Sequence, residues 1–547
     1  MGWKFRIEKT PLTINKTKTQ KAQKKTVAYQ KSISELAKHG EEAIKNIELT
    51  KNLAQNLLII KELFSNCYDL VIREFTINSI ETKCFIAYID KTVKNEEINN
   101  SILKPLMEDK CIPNTKFKTS NLIDIIKETI VHTSQVIETN KFDEILAKFL
   151  NGYCILFVDG NDSALVLDVN GWELRKTSES IIEPVLRGPA EGFVESVNIN
   201  TSLIRKKVKT PKLKLESIQL GRISKTIVIM AYIDGLANEG CIEEVRQRLK
   251  KIDIDMIIES GHIEQLIEDA PLSPFPQMEI TERPDSSVIA LSQGRIVILI
   301  DGTPFVLIVP AVFSDFVLSV EDNYAKLYFA PFIILFRYFA FLMALLGPSI
   351  YVAITTFHSE MIPFQLLETI ASTREGLPFP AFIEALLMEL TFELLREAGE
   401  RLPRDIGQSL SIVGTLIIGQ SAIQAGLVSP AMIVVISITA ICSFVNPRLS
   451  MSRAIRIIRF PMLFLAGCLG IFGIIMGVLV LLLHMISLRS IGVPYFSPFA
   501  PIKFKDWSTA IFKLPAWYTS SRPSFIQKNN ILREKADAKP KPPNSST

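Results

Sequence analysis

The 547-residue chain carries a formal net charge of +4, too small a balance over this length to indicate a nucleic-acid partner. Its seven cysteines (Cys67, Cys84, Cys111, Cys154, Cys241, Cys442 and Cys468) are scattered, odd in number and without a CxxC pair, which excludes a zinc framework or a disulfide scaffold. Five lone histidines and the absence of HExxH, GxSxG and P-loop patterns leave no catalytic constellation, so the reading is of a non-enzyme with no cofactor and no metal.

Residues 1–31 hold nine Lys or Arg against Glu8 alone and lack an apolar signal-peptide run. Two readings stand for this tail: solvated and disordered, or in contact with anionic lipid headgroups. Ser32 to Leu63 has helical spacing. The period then shifts to strands at 69–76 and 83–90, helical stretches near 96–107 and 142–150, and a hairpin of 153–158 with 164–169 turning at Asp159-Gly160-Asn161-Asp162.

This grammar recurs. KTIVIMAYID (225–234) repeats the AYID of 87–90 at an offset of 144, and RIVILIDG (295–302) mirrors YCILFVDG (153–160) at 142. Two matches in one order at nearly one spacing argue for a duplicated α+β soluble region. Between the copies lies a Gly- and Pro-punctuated loop with Arg187, Gly188, Pro189 and Gly192 as candidate hinge, followed by a basic stretch through Lys214. It reads as a hinge with solvated charge or as a basic surface that seats a neighbour.

Charges are dense up to about Lys326, whereas no Asp or Glu occurs from Ile406 to Lys505, which marks a helical membrane domain of about four to six spans. Tyr328 to Phe357 is one apolar run, with a break or tilt expected at Gly347-Pro348 and Arg337 as its only charge, either snorkelling or paired inside a bundle. The stretch 378–404 is helical but acidic, with Glu389, Glu393 and Glu397 four apart along one side. That stripe is either the wet side of an interfacial helix or the lining of a water-filled passage favouring cations. Two uncharged runs follow, Ser409 to Leu427 and Val428 to Val445, bearing Gln420, Gln424 and small residues suited to protein-facing helices. Arg448, Arg453, Arg456 and Arg459 read as a cytoplasmic loop by the positive-inside rule, before a last span, Phe460 to Leu488, with Gly473 and Gly477 as a packing groove. Five crossings would leave the basic C-terminal tail outside, so one segment is expected to be re-entrant. The division is a basic tail 1–31, an α+β subdomain 32–186, a basic linker 187–214, a second subdomain 215–325, a membrane domain 326–490 and a basic tail 491–547.

The motifs RGPAEGF (187–193), ASTREGLPFP (371–380), EALLMELTFELLREAGERLP (384–403), GQSAIQAGLVSP (419–430) and IGVPYFSPFAP (491–501) resemble the A subunits of the GerA family of spore germinant receptors. The resemblance implies a spore inner-membrane protein with cytoplasmic N-terminal domains. It also implies a transporter-like B subunit and a lipoprotein C subunit as partners, besides membrane lipids. It further implies a homo-oligomer, as a ring, forming a nutrient-gated channel for monovalent cations. Ala190 departs from the basic residue more usual in that loop. Glu389, Glu393, Glu397, Gln420 and Gln424 are then the candidate ion-path residues. The alternative is a non-conducting scaffold or accessory paralogue that assembles germination partners.

Overall fold

A computed structural model describes residues 48–526 apart from 78–81, 109–121, 128–132, 134, 172–179, 181–182, 186, 327, 402–417, 512–521 and 525. The basic tails at 1–31 and beyond 526, the first half of the helix expected from Ser32, and residues 409–417 of the run 409–427 lie outside these residues. The chain divides into two units, Met1–Arg175 with Thr201–Glu216, and Lys176–Asn200 with Ser217–Thr547.

The first unit is built on an antiparallel sheet of β1 (Leu70–Ile77), β2 (Thr82–Ile89), β3 (Val136–Thr139), β4 (Cys154–Val158) and β5 (Ala164–Leu167), in the order β1-β2-β4-β5-β3. Its period-2 apolar pattern covers both faces. Cys84, Ile86, Leu156 and Leu165 point to one core, while Phe85, Ala87, Phe157 and Val166 point to the other with α1 (Leu53–Leu63) and α2 (Phe142–Phe149). Phe85 stacks on Phe157 across the β2–β4 pair, ring centroids 4.5 Å apart.

A second sheet contains β6 (Leu213–Leu220), β7 (Thr226–Ile233), β8 (Glu279–Thr281), β9 (Ile296–Ile300) and β10 (Val306–Val309), in the order β6-β7-β9-β10-β8. Shifted by five, this is the order of the first sheet, and β2 to β7 and β4 to β9 are displaced by 144 and 142 residues. The duplication read from two short matches therefore extends to every strand. The helix α3 (Val197–Lys207) precedes β6, and α4 (Glu239–Lys251), α5 (Ser260–Ile267) and α6 (Pro284–Ser292) pack around this sheet. In α4, Asn238 caps the first turn by accepting from Gly240 N (2.9 Å), and Arg248, Lys250 and Lys251 sit at the dipole's negative end.

The linker expected at 187–214 is not a solvated loop throughout. It contains the whole of α3, and Arg205 is buried against Asp69 by Nε and Nη2 bonds of 2.8 and 3.1 Å. Lys214 is also buried and donates to the Leu63 carbonyl at 2.9 Å. Both charges fall on the inward side of regular elements, which a composition count cannot distinguish from surface charge. Asp69→Ala is expected to cost about 3–5 kcal/mol by stranding the Arg205 guanidinium, and adding Arg205→Met to recover most of it. The denaturant midpoint of the purified chain measures both.

Four later helices form a bundle, α7 (Phe329–Phe357), α9 (Ala381–Arg401), α10 (Pro430–Val445) and α11 (Leu449–Ser487), and α8 (Phe364–Arg374), which buries none of its residues, precedes α9. α7 and α11 are long and apolar enough to cross a membrane, and α10 is apolar but shorter. The break expected at Gly347-Pro348 is absent, and α7 runs through Pro348. α10 approaches closely at Gly347, where a Cβ would lie 2.7 Å from Thr439 Oγ1.

α11 also differs from expectation. The four arginines placed in a loop stand instead at and just after its start. Were it straight, 39 residues at ~1.5 Å each would give about twice the ~30 Å of a hydrocarbon core. Gly470, at φ 63° and ψ −141°, folds it into two halves. Gly473 and Gly477 pack back on the first half, where a Cβ would meet Leu465 O at 2.3 Å and Met462 Sδ at 2.6 Å. The GxxxG groove thus serves an intrachain hairpin. Both of its ends return to the second sheet's subdomain, Arg448 to Glu279 and Ser490 to Gln277 and Ala311.

Candidate functional site

The site is the charged seam between α9 and the first half of α11. The two run antiparallel, so glutamates spaced by four on α9 meet arginines spaced by three on α11. Glu389, 3% exposed, accepts from Arg459 Nη1 at 2.7 Å, and Glu393 pairs with Arg456, which also lies 3.6 Å from Glu400. Glu397 is exposed and pairs with Arg401 of its own helix at 2.6 Å. The stripe is therefore graded from buried to wet, rather than wet along its length.

Arg459 has a second task. Pro348 has no N–H, which orphans the carbonyl four residues earlier, and Arg459 Nε donates to that Ala344 oxygen at 2.7 Å. This bond is why α7 continues through the proline. Next along α9, the Arg396 guanidinium lies between the rings of Phe392 and Phe444, 4.9 and 4.6 Å from their centroids, and donates to Ser443 Oγ at 2.6 Å. At the other end of α9, Glu384 is fully buried and accepts from the N–H and hydroxyl of Ser429, the N-cap of α10, and from Arg374.

Glu393, Glu397, Glu400, Arg453 and Arg456 line a cavity of about 780 Å³. Gln420 lines a separate apolar groove of about 680 Å³, on the face of α9 that carries Met388, Thr391 and Phe392, and Gln424 is exposed outside both. The structure thus gathers Glu393 and Glu397, with Glu400, into one cavity, and leaves Glu389, buried on Arg459, and the two glutamines apart from it. Arg337 is paired inside the protein, donating to Asp322 at 2.6 Å, the second of its two expected readings. Of the candidate hinge, Arg187 and Gly188 are exposed, the Pro189 carbonyl accepts from Arg283 Nη2 at 2.9 Å, and Gly192 is buried beside Phe193, whose N–H binds Glu282 O at 2.7 Å.

Sequence reasoning missed the arginine half of the seam. Its signal was available, because spacings of four on one helix and three on the next match in antiparallel order. It also missed a buried cluster at the foot of α11. Arg448 there binds Glu183 and Glu279, and Arg295 binds Asp315 at 2.7 and 2.8 Å and lies 3.6 Å from Glu279. Burial pushes the Glu279 carboxyl above its usual range, with Arg448 opposing the rise.

Beside this cluster, Glu183, Glu259, Glu264, Glu282, Arg448 and Arg453 line a cavity of about 330 Å³. Burial, and then the charges of Glu268 and Glu259, raise Glu264 to about 7, against a pull from Arg453. The folded chain therefore binds this proton more tightly than the unfolded chain, so the group penalises folding increasingly as pH rises from the ordinary carboxylate range through about 7. Glu264→Gln is expected to raise the unfolding midpoint at pH 8 and leave it nearly unchanged at pH 4, read by thermal unfolding at both values.

The model of the Bacillus/Clostridium GerA spore germination protein matches residues 58–525. Spore germination protein KA of Bacillus subtilis (strain 168) is 42% identical over 503 residues, covering 92% of this chain and 92% of that protein. The uncharacterized membrane protein YfkQ of the same organism is 41% identical over 486 residues, covering 88% and 93%. A crystal structure of the N-terminal domain of the A subunit of the Bacillus megaterium spore germinant receptor GerK3 is 38% identical, covers 49% of this chain and 98% of that one, and superposes with a TM-score of 0.40.

Proposed function

Because the chain belongs to the GerA family of spore germination proteins, we propose that it is the A subunit of a nutrient germinant receptor. Copies of it assemble in the spore inner membrane around a gated path for monovalent cations, and opening that path starts germination. A transporter-like B subunit and a lipoprotein C subunit complete the receptor.

The observation that carries this reading is the α9–α11 seam. Carboxylates held among apolar helices are costly unless they pair or line water, and here Glu393, Glu397 and Glu400 open onto one cavity, each with an arginine partner, Arg456 for the first and last and Arg401 for Glu397. In the state described, Arg456 occupies the carboxylates of Glu393 and Glu400, so the seam is closed by its own counter-charges. Opening requires α11 to move relative to α9 and release Glu393 to a passing cation.

The hairpin at Gly470 supports a topology that closes. It brings α11 back to the side it left, so the second sheet's subdomain, Arg448 and Ser490 share one side, the cytoplasmic one by the positive-inside rule. The outer ends of α7 and α9 lie near the Gly470 tip, through Phe357 and Phe382.

A non-conducting scaffold is the second reading, favoured by the fact that Glu389, Glu393 and Glu397 all have arginine partners. Cation flux in liposomes containing the assembled receptor separates the two. Glu393→Gln is expected to change potassium flux several-fold at unchanged protein level and assembly. Unchanged flux with normal assembly contradicts conduction along this seam and leaves the scaffold reading.

A further inference from the structure

We propose that residues 498–511 form an interfacial foot that docks the cytoplasmic side of the chain on a bilayer surface rich in anionic lipid. The proposal rests on the reading that the bundle spans a membrane.

The length of α7 supplies the first argument. Its 29 residues at ~1.5 Å each exceed a ~30 Å hydrocarbon core by roughly nine residues. Its far end is fixed, since Phe357 and His358 lie against the Gly470 tip. The excess therefore falls at its start, in the headgroup layer, where Tyr328, Phe329 and Phe332 are 87%, 60% and 65% exposed. Aromatic rings in that layer are the usual mark of a membrane–water interface.

Residues 498–511 pack beside this end. Phe499 meets Tyr338 of α7 edge to face at 6.3 Å, Tyr338 Oη donates to Ala510 O at 3.5 Å, and Trp507 joins Phe499 to Phe504 at 6.2 and 5.1 Å. A folded aromatic base thus holds the segment at the depth of the interface. Its outer surface presents Ile502 and Phe504, 63% and 74% exposed, with exposed Lys505 and half-buried Lys503 beside them, the latter also donating to Ser524 Oγ at 3.2 Å.

Charge identifies the occupant. The one acid in the segment, Asp506, is buried and accepts from Ser524 Oγ at 2.6 Å, so the exposed charge is basic. Apolar side chains entering the acyl boundary with ammonium groups between them match an anionic leaflet, the lysines reaching the phosphates as the apolar residues insert. A protein partner would have to bury two lysines against acids of its own.

Photocrosslinking of the full chain in nanodiscs tests this, with Phe504→benzoylphenylalanine in phosphatidylglycerol or phosphatidylcholine and intact mass as the readout. The expected result is a lipid adduct several-fold more abundant in phosphatidylglycerol, reduced at least threefold there by Lys505→Gln alone and further by adding Lys503→Gln. An adduct to a second copy or another protein, or equal yield in the two lipids, overturns the foot. A second probe, Phe472→benzoylphenylalanine on the exposed face of α11, separates the premises. Lipid capture at 472 without capture at 504 overturns the foot alone, whereas loss of both overturns the spanning bundle.

Discussion

The bundle depends on the Arg459 guanidinium. It satisfies the Ala344 carbonyl that Pro348 leaves unpaired and neutralises the buried carboxylate of Glu389, so one side chain ties α7, α9 and α11 together. Neither neighbour is stable without it: an unpaired carbonyl or a lone carboxylate among apolar helices costs several times what an ordinary hydrogen bond contributes. The neighbouring contacts follow from this alignment. With Glu389 opposite Arg459, the helical repeat sets Glu393 opposite Arg456, and Arg396 then falls between Phe392 and Phe444.

The same helix connects this seam to the soluble part of the second unit. Arg448 lies 11 residues before Arg459, about three turns and nearly the same face, and its guanidinium is buried between Glu183 and Glu279. Arg295 and Asp315 extend that cluster into the sheet, and the hydrophobic core continues across the joint through Phe275, Phe313, Met451 and Tyr495. Subdomain and hairpin therefore share one core and one charge network, and a shift at the Arg448 end carries through the unbroken first half of α11 to the glutamate pairs. The fold at Gly470 keeps both ends of that helix on the same subdomain.

Much of the fold was legible in the sequence because its signals are periodic. Alternating apolar residues and the AYID and DG repeats marked both copies of the sheet, and strand order then showed that the likeness runs through all five strands. What was not legible depended on contacts between distant segments. Arg205 and Lys214 looked like surface charge until their partners, Asp69 and the Leu63 carbonyl, came into place. Gly347-Pro348 looked like a break because the donor that rescues Ala344 lies more than a hundred residues away. The fold of α11 into a hairpin left no periodic signal and needed the backbone angle of Gly470. The acidic stripe was read from one helix and lacked its arginine partners, which lie on another, and Gln420, grouped with it as a candidate, faces a different side of α9.

The claim that matters most is that Arg459 and Glu389 stabilise the bundle as a pair, and a double-mutant cycle on detergent-solubilised protein tests it. Arg459→Gln and Glu389→Gln, made singly, should each sharply lower the unfolding midpoint. Made together, they should recover the part due to the stranded charge, with a residual loss from the unsatisfied Ala344 carbonyl. Additive losses in the double variant, or single variants as stable as the parent chain, would contradict it.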